Sequence, residues 1–176
     1  MRMIPLSALA LCLAGLSAVH AQQKFAYSYD QPPEVVGKYI QRHSLEVGDV
    51  PAHTTNLAEI VTQYLSDKAA PTFANVRAKE SRTVLMSDFT QNSGFSTGYR
   101  VYSMENGDKI FIKTSLMLQT TSANGKTTSI SSMVDTLTGG TGRFKNIRGT
   151  LNGTNKAAVG STTSGSHVEG EYYFID

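Results

Sequence analysis

The side chains of this sequence best placed to do chemistry are charged and aromatic residues inside alternating, strand-like segments. Along His167–Ile175, Glu169, Glu171 and Tyr173 share one face and Val168, Tyr172 and Phe174 the other. Along Lys109–Gln119, Lys109, Phe111 and Lys113 oppose Ile110 and Ile112. Arg77 and Lys79 fall on one face of an earlier segment with Glu80 on the other, and Arg148 shares a face with Phe144. Tyr99 and Tyr102 have opposite parity, so one of them points inward in either register. A small barrel alternates inward and outward positions. Most charges on such strands face solvent. One carried inward must be paired or shifted in pKa, which makes it a site element. Glu80, Tyr99, Arg148 and Glu171 are therefore the candidate ligand-binding residues of a central cavity, and Glu59 would join them if it points inward. No residue is assigned as catalytic.

Other motifs carry less. Gly139-Gly140-Thr141-Gly142 is glycine-rich like a phosphate cradle, but no Gly-Lys-Ser/Thr follows. Lys145 stands where a dinucleotide fingerprint needs glycine, and the next segment reads as strand. A chain reversal is the simpler job for that cluster, with Phe144 tucked into one end of the domain. His43, His53 and His167 lie on three separate segments without i, i+2 or i, i+4 pairing, so no metal site is expected. His53 follows the Asp49-Val50-Pro51 turn and is expected to bond the loop backbone. No Gly-x-Ser-x-Gly elbow is present to anchor a hydrolase triad.

The N-terminus has one charge, Arg2, an apolar run from Ile4 to Leu16, and small residues at Val19 and Ala21. That is the pattern of a bacterial-type export signal cleaved before Gln22. The run is shorter than the roughly 18 residues of a membrane span. The expected location is the periplasm or beyond. Losing residues 1–21 removes Cys12, the only cysteine, and with Arg2 gone 15 basic side chains stand against 14 acidic ones. Disulfides and thiolate chemistry are thereby excluded, and the scattered Lys and Arg argue against nucleic acid as a partner. No cofactor is expected. The remaining chain, about 155 residues, suffices to bury roughly two thirds of its unfolded surface in one domain.

Residues 22–36 are polar and broken by Pro32-Pro33, and read as a flexible leader. From Gly37 to Asp176, β-rich runs recur between Gly, Asn, Asp, Pro and Ser clusters. They are Lys38–Val47, Leu57–Tyr64, Phe73–Thr90, Phe95–Met104, Lys109–Gln119, Thr127–Leu137, Arg143–Asn152 and His167–Ile175. The fold class is all-β, an eight-stranded antiparallel barrel. The third run needs a bend. Asn106-Gly107 and Asn124-Gly125 suit type I′ hairpin turns. In the second run Leu57, Ile60, Val61, Tyr64 and Leu65 also fit helical spacing, with Asn56 and Glu59 as a capping pair; its β-branched and aromatic content favours strand.

Three stretches resemble the allene oxide cyclase-like barrel group, which includes the dirigent proteins and exported bacterial members of unassigned function. They are Glu105–Phe111, the Leu137-Thr138-Gly139-Gly140-Thr141-Gly142-Arg143-Phe144 turn running on to Arg148-Gly149, and Glu169-Gly170-Glu171-Tyr172. Asp49-Val50-Pro51-Ala52-His53 is similar to the Asp-Val-Pro-Gly-His stretch of the bacterial members, with Ala52 in place of glycine. The resemblance implies an eight-stranded antiparallel barrel with a central cavity. It implies no single reaction, since the same barrel serves several.

The expected function is therefore binding of a small apolar or aromatic molecule in the cavity. A cofactor-free cyclase or isomerase with a pocket carboxylate or tyrosine as acid–base, and an envelope or secreted interaction protein, are the alternatives.

Overall fold

The structure, a computed structural model, describes residues 22–65, 70–158 and 165–176. The export signal expected over residues 1–21 lies outside the described residues. Ten strands follow in chain order: β1 (Lys24–Gln31), β2 (Lys38–Glu46), β3 (His53–Gln63), β4 (Thr72–Phe73), β5 (Val76–Thr90), β6 (Ser93–Met104), β7 (Lys109–Ala123), β8 (Lys126–Gly140), β9 (Ile147–Ala158) and β10 (Ser166–Phe174). They form one antiparallel sheet in the order β1-β10-β9-β8-β7-β6-β5-β3-β2, with β4 paired to β5 off that path. Among the described residues no helix is long and apolar enough to cross a membrane.

The all-β class stands, and three particulars are corrected. Residues 22–36 are not a flexible leader throughout, because β1 pairs with β10 over all eight of its residues, from Lys24↔Tyr173 to Gln31↔Ser166. Its Phe25, Tyr27 and Tyr29 share one parity and pack against the interior. The third predicted run is two strands, because Ala74 and Asn75 both take positive φ and reverse the chain there. The eight-stranded closed barrel thus becomes a longer sheet whose ends, β1 and β2, share no ladder among the described residues.

Turn chemistry explains the meander from β5 to β10. Asn124 and Gly125 both have positive φ, at 51° and 72°, as a type I′ hairpin requires. At Asn106-Gly107 only the glycine does. Gly107 N–H and Met104 N–H donate to Met104 O and Asp108 O, so this is a longer turn than a two-residue I′. The glycine cluster reverses the chain as expected, through a 3-10 turn at Gly142–Phe144 that buries Phe144 completely.

The core is concentrated at one end. Phe73, Met104, Ile110, Phe144 and Ile147 are essentially inaccessible and fill the barrel floor. Tyr27 stacks on Phe73 with ring centroids 4.7 Å apart, and Tyr172 meets Phe73 edge-on at 5.6 Å. Each such ring buried contributes about 1.5–3 kcal/mol. The other end holds smaller inward residues, and that is where space remains.

Candidate functional site

Inward-facing side chains above the floor enclose a cavity of about 380 Å³, within the range of small-molecule sites. Register decides its polar residues. Arg100 of β6 lies beside Thr83 of β5 and Ile112 of β7, and Thr114 of β7 lies beside Asp135 of β8, so Arg100 and Asp135 share the inner face. Arg100 Nη1 donates to Asp135 Oδ2 at 2.6 Å, Nε to Thr83 Oγ1 at 3.2 Å, and Nη2 contacts Met133 Sδ at 3.4 Å. Its guanidinium carbon sits 6.0 Å from the Tyr102 ring centroid. Burial is the largest single influence and opposes the Arg100 charge, but the Asp135 carboxylate together with Tyr102 and Tyr64 outweighs it and raises the pKa.

Asp135 is 1% exposed, and its second oxygen, Oδ1, is buried with no hydrogen-bond partner among the described residues. An unused acceptor so enclosed costs roughly 1–3 kcal/mol unless a donor meets it. Four tyrosines complete the lining: Tyr27, Tyr29, Tyr64 and Tyr102. Burial raises the pKa of each above the ordinary phenol value, and Tyr64 donates to Ser81 Oγ at 3.2 Å. Such hydroxyls stay neutral at physiological pH and act as hydrogen-bonding groups. Ile60, Leu85, Leu116 and Leu151 supply apolar wall.

No family model matches the sequence, and no curated protein matches it. A solved structure is similar: the pterocarpan synthase dirigent protein GePTS1, with a TM-score of 0.48 and 11% identity over 97% of this chain and 98% of that one.

None of the four residues expected to line the cavity does so. Glu80 would share inward parity with Ala78, but a β-bulge between them passes that parity to Ser81 and Thr83. Glu80 instead accepts a bond from Gln63. Tyr99 is 67% exposed on the outer face while Tyr102 points in. Phe144 belongs to the 3-10 turn, not to β9, which begins at Ile147, so strand parity does not carry from it to Arg148. The inward residues of β9 are Ile147 and Leu151, and Arg148 Nη1 donates back to Ile147 O at 2.7 Å. Glu171 faces outward, opposite Tyr172, and pairs with Lys24. Arg148 and Glu171 both line an outer groove with Thr136 and Tyr173. Glu59 is also outside the cavity and pairs with Arg82 at 3.1 Å.

His53 does not bond the loop backbone through its ring. Its Nδ1 lies 2.6 Å from Asp49 Oδ1 and its Nε2 2.8 Å from Asp88 Oδ1. His167 similarly bridges Asp30 at 2.7 Å and Glu169 at 3.5 Å. The residues sequence reasoning missed are Arg100 and Asp135. The signal available was their parity: Arg100 matches Tyr102 and Met104, and Asp135 matches Leu137, all apolar inward positions.

Proposed function

We propose that this protein is an exported small-molecule-binding barrel. Its cavity takes a small, neutral, largely apolar or aromatic molecule that donates a hydrogen bond to Asp135 Oδ1. The observation that carries the reading is that buried, unpartnered carboxylate oxygen on a residue lining a cavity of about 380 Å³. Neutrality of the ligand follows from the Arg100–Asp135 pair, which already balances the site's charge. A further buried charge would stand without a counter-ion.

The test is fluorescence titration of the full chain with N-phenyl-1-naphthylamine, a neutral aromatic amine with one N–H donor. A Cβ at Gly153 would meet only the Met133 methyl closely, at 2.7 Å, so Gly153→Leu fills the cavity by displacing a flexible side-chain end. It should weaken binding at least about tenfold, while Met86→Ser on the outer face leaves it unchanged. Equal affinity in wild type and Gly153→Leu would reject the reading.

A second reading, an interaction protein, is favoured by the outer face. Leu45, Leu57, Met86, Phe95, Tyr99 and Met117 are each 46–72% exposed there, with Leu57 beside Met86 and Phe95 beside Met117 across neighbouring strands. Apolar patches of that kind mark association sites. Light scattering of wild type against Met86→Ser/Phe95→Ser tests self-association through it: a monomeric wild type sinks that form of the reading.

A further inference from the structure

The cavity lies beside a gap between the sheet's end strands, β1 and β2, which share no ladder among the described residues. Its wall on one side of the gap is Tyr29 and Gln31 of β1, and on the other Ile60 and Thr62 of β3. β2 contributes nothing to the lining and is exposed along its whole length. Tyr39 and Arg42 share its inner parity, being opposite Ile60 and Ala58. Yet Tyr39 is 61% exposed, with the Arg42 guanidinium stacked 5.7 Å over its ring. Toward the barrel's axial end Leu85 and Phe89 of β5 and Leu116 and Leu118 of β7 are half-buried and of inward parity.

The connection Pro32–Gly37 joins the two sides of the gap, running from the upper end of β1, at Gln31↔Ser166, to the base of β2, at Lys38↔Val61. Val35 N–H donates to Pro32 O at 3.0 Å, and Gln31 Nε2 donates to Val35 O at 2.8 Å. Val35 is buried, and Gly37 seats its backbone directly on two cavity-lining side chains. A Cβ there would lie 2.6 Å from Ile60 Cγ2 and 3.0 Å from Thr62 Oγ1. The segment makes two hydrogen bonds, buries one valine and seats one glycine, whereas ladders of eight or more residue pairs join the strands elsewhere around the cavity. Segments so lightly held open at far lower free energy than the sheet they cover.

We propose that Pro32–Gly37 is a strap gating the cavity, so that small apolar molecules pass sideways between β1 and β2 when it lifts, rather than along the barrel axis. The biological sense of this gate rests on the cavity being a binding site, but its test requires no ligand. Ser81 is interior and 4% exposed. In a Cys12→Ser background, Ser81→Cys is labelled with N-ethylmaleimide under native conditions and the rate followed by mass spectrometry. Gln31→Ala/Val35→Ser, which frees the strap, should raise the rate about tenfold, as expected for a local opening. Pro33→Gly, at an exposed position, should raise it in the same direction and carries the comparison if the first variant does not fold. Ser131→Phe, placed to crowd the axial end, should leave the rate within twofold. Unchanged labelling in the strap variants together with slowing in Ser131→Phe overturns the proposal in favour of axial passage. Rates that follow urea stability across all variants overturn it too, because access then requires global unfolding. Faster labelling on freeing the strap, with no N-phenyl-1-naphthylamine binding to wild type, would keep the gate and reject the binding reading.

Discussion

Replacing Asp135 by alanine leaves the Arg100 guanidinium inside the barrel beside Thr83 Oγ1, Met133 Sδ, Tyr102 and Tyr64, none of which carries a compensating charge at neutral pH. Removing one partner of a buried ion pair costs about 3–5 kcal/mol, because the other charge remains desolvated. For a chain of this size each kcal/mol shifts the melting temperature by about 2–4 °C, so the loss should be roughly 6–20 °C. Arg100→Met should cost a similar amount. Arg100→Met/Asp135→Leu removes both charges and fills their space with apolar atoms, a replacement that is often neutral or stabilising by about 1–4 kcal/mol. The double variant should therefore recover most of what either single loses. Urea unfolding followed by far-ultraviolet circular dichroism measures all three. Losses below about 1 kcal/mol in the singles would show that solvent reaches the pair. A double variant whose loss equals the sum of the singles would show that the two residues do not act together. The double variant also separates stability from function: it should fold, yet bind N-phenyl-1-naphthylamine more weakly because the acceptor is gone.

Two further outcomes follow from the turns and clamps. Gly142 has φ +48°, and a Cβ there would lie 2.0 Å from Asp108 Oδ1, whose Oδ2 accepts from Arg143 N–H at 3.1 Å. Gly142→Ala should cost about 1–3 kcal/mol, and in combination with Asp108→Ala less than the sum, by chemical denaturation. The pKa of His167 is raised, first by its bond to Asp30 and then by Glu169. Protonated in the fold, it holds β1 to β10, and this contribution is complete below the unfolded pKa of about 6.5 and lost as pH rises through the raised folded value. The melting-temperature gap between wild type and His167→Gln should thus narrow with rising pH; a gap independent of pH removes the clamp.

The strands were legible because one face of each is apolar at period two; the structure turns the faces of Val168, Tyr172, Ile110 and Ile112 inward, a choice that alternation alone left open and that the Glu171 expectation had the other way. β1 carried the same pattern in Phe25, Tyr27 and Tyr29, but the adjacent Pro32-Pro33 and the expected export signal made the stretch look like a leader. The site was less legible for two reasons. A bulge at Ala78/Glu80 and a 3-10 turn at Gly142–Phe144 each reset parity, which sent Glu80 and Arg148 outward. The Arg100–Asp135 bond joins residues 35 apart in sequence, across the intervening β7, so only register brings them together.

On the proposed reading, the two ends of the barrel divide stability from binding. At the floor, inward positions carry Phe73, Met104, Ile110 and Phe144, packed without accessible surface. Above it they carry Ser81, Thr83, Gly153 and Ser131, too small to meet across the interior. The floor supplies most of the apolar burial, so the upper part can stay hollow without loss of the fold. Ile110→Ala should therefore cost about 2–5 kcal/mol by urea unfolding and leave N-phenyl-1-naphthylamine affinity nearly unchanged wherever the variant is folded. Gly153→Leu should do the reverse. If Ile110→Ala weakened binding as much as it weakened the fold, floor and cavity would be one cooperative unit, and the division drawn from their side chains would be wrong.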